Sequence, residues 1–318
     1  MNFWRSEKGA AGVVFALSLG LLLSAAALVV DYGRSAYEAR LLQNAADSAA
    51  LAAAHELPAA QDDPLAVAAV RNSAVEYASK NGYTLSPSQV SLEKLSNGKY
   101  CGVTVRVGDT VDYTLARIMG ETEIALERSA SVELTALGGV RNTVPIAVKK
   151  GVFDENIASG NYYMTLKYGG GNGDEGDYGA ADLDGIAAGG ANDYLMRLQY
   201  GYEDVLYVGD IILVESGNMS GPTKTGVTYR YNHCPHSPEC TLAHYEPDCP
   251  RVMLVPVVHN LSKKQLVVDG FAPFFLDYVT GNGNKCEVHG TYIPGLVVSG
   301  EVGENPNAYG TYGRKLVS

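Results

Sequence analysis

Hydrophobic and polar positions divide this chain into three regimes. Residues 9–30 read GAAGVVFALSLGLLLSAAALVV and carry no charge. At about 1.5 Å of helical rise per residue the run covers about 33 Å, enough for a bilayer core of about 30 Å. Over residues 31–57, alanine, leucine, glutamate, glutamine and arginine dominate, and no proline intervenes before Pro58. The helix is therefore expected to continue as a stalk, about 70 Å long from Gly9 to His55. Ala45, Ala49 and Ala53 line one stripe of that stalk, and Ala46, Ala50 and Ala54 line the next. Such a ridge has almost no side-chain volume, so it suits a neighbour that comes very close, and a contact is expected there with another copy, another component or the chain's own remaining residues.

The third regime is shorter in period. Pro64 opens a helix expected to end at Asn81-Gly82, with Ala66, Val70, Val75, Tyr77 and Ala78 suggesting one apolar face. Strand patterns follow at residues 89–95 and 100–107, separated by Ser96-Asn97-Gly98, and again at 124–134. Cys101 alternates in phase with Val103, Val105 and Val107, which predicts a buried free thiol. A helical patch is expected at 112–119. The order α-β-β-α-β fits a small two-layer α/β module over residues 58–138. Gly138-Gly139 is read as a boundary. Beyond it, strands are expected at 162–168, 205–214, 226–231, 252–258, 265–275 and 291–298, with one helix at 192–200. Residues 139–300 thus read as a mostly-β domain, a barrel or sandwich, and 301–318 as a flexible tail. The fold class is α+β.

Composition narrows the functional classes. The 318 residues suit two domains, and 46% apolar content supports a sizeable core. A net charge of −11 and a pI near 5.0 argue against nucleic-acid binding and electrostatic docking on anionic lipid. A mean hydropathy of −0.04 hides the segregation of apolar residues into the first regime. Arg5 and Lys8 precede the span and Asp31 follows it, which favours a cytoplasmic tail over residues 1–8 and an extracytoplasmic remainder, although Arg34 and Arg40 also lie beyond it. A cleaved signal peptide is the rival reading, with Ala25-Ala26-Ala27 as an A-x-A site. The length of the run and the helical pattern through that site favour an uncleaved single-pass anchor. Ala16, Gly20 and Ser24 recur every four residues in the span and could admit a second helix backbone.

The short charged tail ending in Glu7-Lys8-Gly9, the apolar span, the Asp31-Tyr32-Gly33-Arg34 run and Leu42-Gln43-Asn44-Ala45-Ala46-Asp47 together carry a resemblance. This arrangement resembles the N-terminal region of TadE/TadG-like proteins of the bacterial tight-adherence (Flp) pilus system, over about the first 56 residues. The resemblance implies a pilus-assembly or minor pilin-like protein in the bacterial cell membrane, with other pilus or secretion components, or itself, as partners. Cleavage after Gly9 would place Val14 where pilins of the system carry a glutamate. The D-x-S-x-S metal motif of longer relatives is absent; the nearest stretch is Glu215-Ser216-Gly217-Asn218-Met219.

Two loops hold candidate chemistry. Residues 169–186 bear Asp174, Glu175, Asp177, Asp182 and Asp184 among glycines, a composition open to calcium but without EF-hand spacing. Solvated turns are the preferred reading. Residues 233–249 hold His233, Cys234, His236, Cys240, His244 and Cys249. These could supply a zinc shell, yet no C-x2-C spacing occurs, and disulfides among Cys234, Cys240, Cys249 and Cys286 are favoured in an oxidising compartment. No cofactor is expected. No catalytic constellation is present, since a G-x-S-x-G elbow is missing and the cysteines lie in staple-like contexts. A structural or assembly protein is therefore expected; an extracytoplasmic binding module or metal-dependent hydrolase on a tad-like anchor is the alternative.

Overall fold

The computed structural model describes residues 8–94, 98–114, 116–168, 178–185, 190–215, 217, 219–303 and 309–317. The chain divides into two units, Met1–Glu133 with Leu316–Ser318, and Leu134–Lys315.

The first unit begins with α1 (Lys8–Ala53), which runs unbroken and ends in a short 3-10 turn at Ala54–Glu56. The remaining elements are β1 (Ala59–Ala60), α2 (Pro64–Lys80), β2 (Val90–Lys94), β3 (Lys99–Asp112) and β4 (Glu123–Val140), whose last residues belong to the second unit. Asp63 caps α2 by accepting hydrogen bonds from the backbone N–H groups of Leu65 (2.9 Å) and Ala66 (3.2 Å). Pro64 occupies the first turn, where its missing N–H costs nothing. β3 pairs antiparallel with β1, β2 and β4, and Val103 and Val105 face Val132 and Ala130 across the β3–β4 ladder. α1 and α2 pack against one another, and α1 also packs against β3.

That packing fills the alanine ridge from within the chain, one of the three partners expected for it. Ala45, Ala46, Ala49, Ala50, Ala53 and Ala54 are all fully buried inside the unit, as are Val70, Ala74 and Ala78 of α2. Ser73 of α2 donates a 3.1 Å hydrogen bond to the carbonyl of Ala52, which places the second helix directly on the first. The near-absence of side-chain volume serves close packing within the chain. Two expectations change. β3 extends through Asp112, so the helical patch shrinks to a 3-10 turn at Ala116–Met119. Cys101 is half-buried while Val103, Val105 and Val107 are fully covered, because the β2–β3 register shifts beside it, at Glu93/Lys94. The predicted Ser96-Asn97 turn lies outside the described residues.

The second unit comprises β5 (Ile146–Lys149), α3 (Lys150–Ala158), β6 (Tyr163–Tyr168), β7 (Tyr178–Asp182), α4 (Ala191–Tyr200), β8 (Leu206–Tyr207), β9 (Ile211–Val214), α5 (Ser220–Asn232), β10 (Val252–Asn260), β11 (Gln265–Thr280), β12 (Glu287–Tyr292), β13 (Leu296–Val297), β14 (Gly300–Val302) and β15 (Thr311–Val317), whose last two residues belong to the first unit. Strands β10, β5, β7, β9 and β11 pair in succession, and β11 returns to β10, so these five close into a barrel; β12 and β6 extend it from β11. β10 reads VMLVPVV over its buried length because both its faces are covered. Met253, Val255 and Val257 join a core with Phe153, Tyr194, Leu198 and Val227 of the helices. Val252, Leu254 and Val258 join another with Leu137, Val140, Cys240 and Cys249.

Three sequence readings are corrected here. Residues 226–231 are helical, inside α5, where Thr223, Gly226, Val227 and Arg230 are buried at helical spacing. Their β-branched and aromatic content masked a period of three to four. Gly138 and Gly139 do not break the chain; they lie within β4, and the unit boundary falls earlier, after Glu133. A Cβ on Gly139 would stand 2.7 Å from the Tyr207 ring, so glycine here permits close approach. Within the expected flexible tail, Thr311–Val317 is a strand that pairs in parallel with β13 through Leu296↔Thr311. Its glycines made it look like a loop.

Candidate functional site

Beyond its exposed stretch α1 meets its module first at Asp31 and then, after exposed residues such as Tyr32 and Tyr37, from Leu42 onward. Ala11 to Val30 are exposed in the chain, apart from half-exposed Ala27, whereas Asp31 is buried. Ala16, Gly20 and Ser24 lie in the exposed stretch, and Ser24 returns its hydroxyl to the carbonyl of Gly20. Among the described residues α1 is the one helix long and apolar enough to cross a membrane.

Asp31 accepts hydrogen bonds from the backbone N–H groups of Thr114 (2.8 Å) and Ala116 (2.7 Å), in the turn joining β3 to β4. Arg34 Nη1 donates to Thr114 Oγ1 at 3.0 Å, and the buried Leu42 lies further along the helix. Gln43 donates from Nε2 to Asp47 Oδ1 (2.8 Å) and to the carbonyl of Ser129 in β4 (3.2 Å). Glu38 accepts from Tyr83 OH at 2.7 Å; burial first, then this bond, pushes the Tyr83 phenol up to about 12. Thus Asp31, Arg34, Leu42, Gln43, Ala45 and Ala46 fix the helix to its module, and Asp47 orients Gln43 from within the helix. Gly33 and Asn44 are exposed, and a Cβ on Gly33 would meet nothing within 4 Å among the described residues. The Thr114–Ala116 turn was invisible to sequence reasoning because its contribution is backbone N–H, which any residue supplies.

In the second unit the loop between α5 and β10 draws Cys234, His236, Cys240 and Cys249 together, one ligand-type atom of each lying within 4.8 Å of all the others. The Cys249 thiol donates to Cys234 Sγ at 3.6 Å, and no disulfide joins the two. His236 directs Nδ1 at Cys240 Sγ (3.4 Å) and Cys234 Sγ (3.7 Å), with Nε2 3.2 Å from Asp248 Oδ1. The backbone N–H of Cys240 holds the Cys234 thiol down at about 6, whereas burial pushes Cys249 up to about 12. His236 is raised chiefly by its bond to Cys234. Of the four cysteines expected to pair, this group holds three as free thiols; the fourth, Cys286, is buried apart from it with its thiol 3.7 Å from the carbonyl of Ser220. His233 also turns away, stacking on Tyr229. Sequence spacing did not select His236, and Asp248, its support, gave no signal beyond adjacency to Cys249.

Of the acidic loop, Asp174, Glu175 and Asp177 lie outside the described residues. Asp182 and Asp184 both meet Arg197, and Asp184 also accepts from Tyr202 OH at 2.9 Å. These two carboxylates face a guanidinium.

α1 thus combines a stretch long and apolar enough to cross a membrane with a later segment built into the core of its own module. Residues 9–60 of the chain match the Tad family model, described as Flp pilus-assembly TadE/G-like. The match covers the exposed span, the Asp31 junction and the buried alanine segment. No curated protein and no solved structure matches the chain.

Proposed function

We propose that this protein is a membrane-anchored, non-enzymatic component of a tight-adherence (Flp) type pilus apparatus, with residues 31–318 outside the cytoplasm, where they meet other pilus or secretion components. The observation that carries the reading is the junction at Asp31, inside the family match. There an exposed apolar helix makes its first contact with the first unit, in whose core its later alanine segment is buried, so the anchor and that unit share one helix. The alanine ridge is occupied within the chain. Helix pairing in the bilayer through Ala16, Gly20 and Ser24 and contacts on the ectodomain surface are left for partners.

The reading is tested in the native bacterium. Alkaline carbonate should leave the full chain in the membrane pellet, and protease added to spheroplasts should digest the ectodomain. Crosslinking in intact cells should capture pilus or secretion subunits. A chain released by carbonate, or an ectodomain protected until the cells are lysed, would overturn the proposal.

A further inference from the structure

We propose that Cys234, His236, Cys240 and Cys249 form a structural zinc site that staples the loop between α5 and β10. The chemistry is three thiolates and one imidazole, a donor set that favours tetrahedral zinc.

Geometry separates this reading from a disulfide. Four ligands tetrahedral about zinc, with Zn–S near 2.3 Å, lie about 3.8 Å apart for sulfur–sulfur edges and about 3.5 Å for sulfur–nitrogen edges. The distances here are 3.6 Å for Cys234–Cys249, 3.4 Å for Cys240–His236 and 3.7 Å for Cys234–His236. A disulfide would bring one sulfur pair to about 2.05 Å and leave the third thiol and the imidazole without a role. Neither remaining cysteine joins the group: Cys286 is buried with its thiol on the carbonyl of Ser220, and Cys101 lies on β3.

The surroundings are those of a prepared site. Asp248 on Nε2 holds the His236 ring with Nδ1 toward the sulfurs, the outer carboxylate arrangement that orients metal-bound histidine. Three thiolates around a divalent ion leave one net negative charge, and each thiol still protonated releases its proton on binding. Backbone N–H groups answer that charge: Cys240 donates to Cys234 Sγ and Glu246 to Cys240 Sγ, each at 3.4 Å. Two arginines fix the loop from below. Arg230 of α5 bonds the carbonyl of Pro250 at 2.9 Å, and Arg251 bonds that of Cys240 at 3.0 Å while lying over the Tyr231 and Phe275 rings. Cys240 and Cys249 are buried, whereas Cys234 and His236 are half-exposed, which leaves a side for metal entry.

The test uses full-length protein extracted from membranes in detergent without reductant. Elemental analysis should find one zinc per chain. Replacement by Co2+ should give the intense visible bands of a tetrahedral thiolate site, a readout independent of folding assays. Cys234→Ser and His236→Ala, at the half-exposed positions, should abolish stoichiometric zinc, and Asp248→Asn should weaken it by about 10–100-fold while keeping one zinc at saturation. Intact mass should show all five thiols reduced after metal removal under denaturing acid. A chain without metal, a mass short by two hydrogens per bond among the three cysteines, or zinc retained in His236→Ala would overturn the assignment.

Discussion

The carboxylate of Asp31 accepts the backbone N–H of Thr114 at 2.8 Å, 83 residues along the chain, and so ties the end of the exposed span to the tip of the β3–β4 hairpin. A buried acceptor that satisfies two N–H groups is costly to remove. Asp31→Ala should strand those donors and lower stability by about 1–3 kcal/mol. Asp31→Asn keeps one acceptor oxygen and should lose less. Urea unfolding of the detergent-solubilised protein reads the difference. Equal midpoints for wild type and Asp31→Ala would show that the capped turn contributes nothing.

Ala49 supplies a second test, because it is fully buried where α1 meets its module. Ala49→Leu changes helix propensity little but inserts three carbons into a closed contact, at a cost of about 1–3 kcal/mol. The thermal midpoint should fall. An unchanged melt with loss of a co-purifying subunit would instead return the ridge to an intermolecular role.

Alkaline pH should weaken the fold in a defined window. Burial and carboxylate partners push Tyr83 and Tyr202 up to about 12, whereas an unfolded chain releases phenolic protons near 10. Their contribution is complete below about pH 10 and is lost as pH rises toward about 12, since only the unfolded state deprotonates over that range. The urea midpoint should drop steadily across the window, and Tyr83→Phe should flatten part of the drop. A midpoint constant across that window would contradict the assignment.

The anchor, the strands of the first unit and the mostly-β character of the second were legible in the sequence because each is a periodicity. A charge-free run, the Val103–Val107 alternation and the Asp63-Pro64 start of α2 need only local information. What escaped was long-range. The alanines of α1 have the same pattern whether they meet a partner or α2, and only the position of Val70, Ala74 and Ala78 decides. Gly226 looked like a strand residue, yet a Cβ there would stand 2.8 Å from Leu198, so the helix crossing of α4 and α5 selects it. His236 was one histidine among three, and folding alone distinguishes it, by turning His233 onto Tyr229 and Nδ1 of His236 onto two sulfurs.

Two glycines with opposite surroundings give the last prediction. A Cβ on Gly138 would lie 2.7 Å from the Cα of Gly303, a backbone atom that no side-chain rotation can move. Gly138→Ala should therefore force strands β4 and β14 apart and cost about 1–3 kcal/mol. Gly33, inside α1, has open space within 4 Å of the same added atom. In a helix interior alanine exceeds glycine by about 0.5–1 kcal/mol, so Gly33→Ala should leave the chain slightly more stable. The two unfolding midpoints should move in opposite directions, and midpoints that move together would remove the close-approach account of Gly138. Gly33 also belongs to the family-matched segment, beside the membrane junction. If its small size serves a neighbouring subunit, Gly33→Ala should reduce crosslinking to pilus components in cells although the isolated protein is no less stable. Full crosslinking in that variant would mean that Gly33 faces no partner.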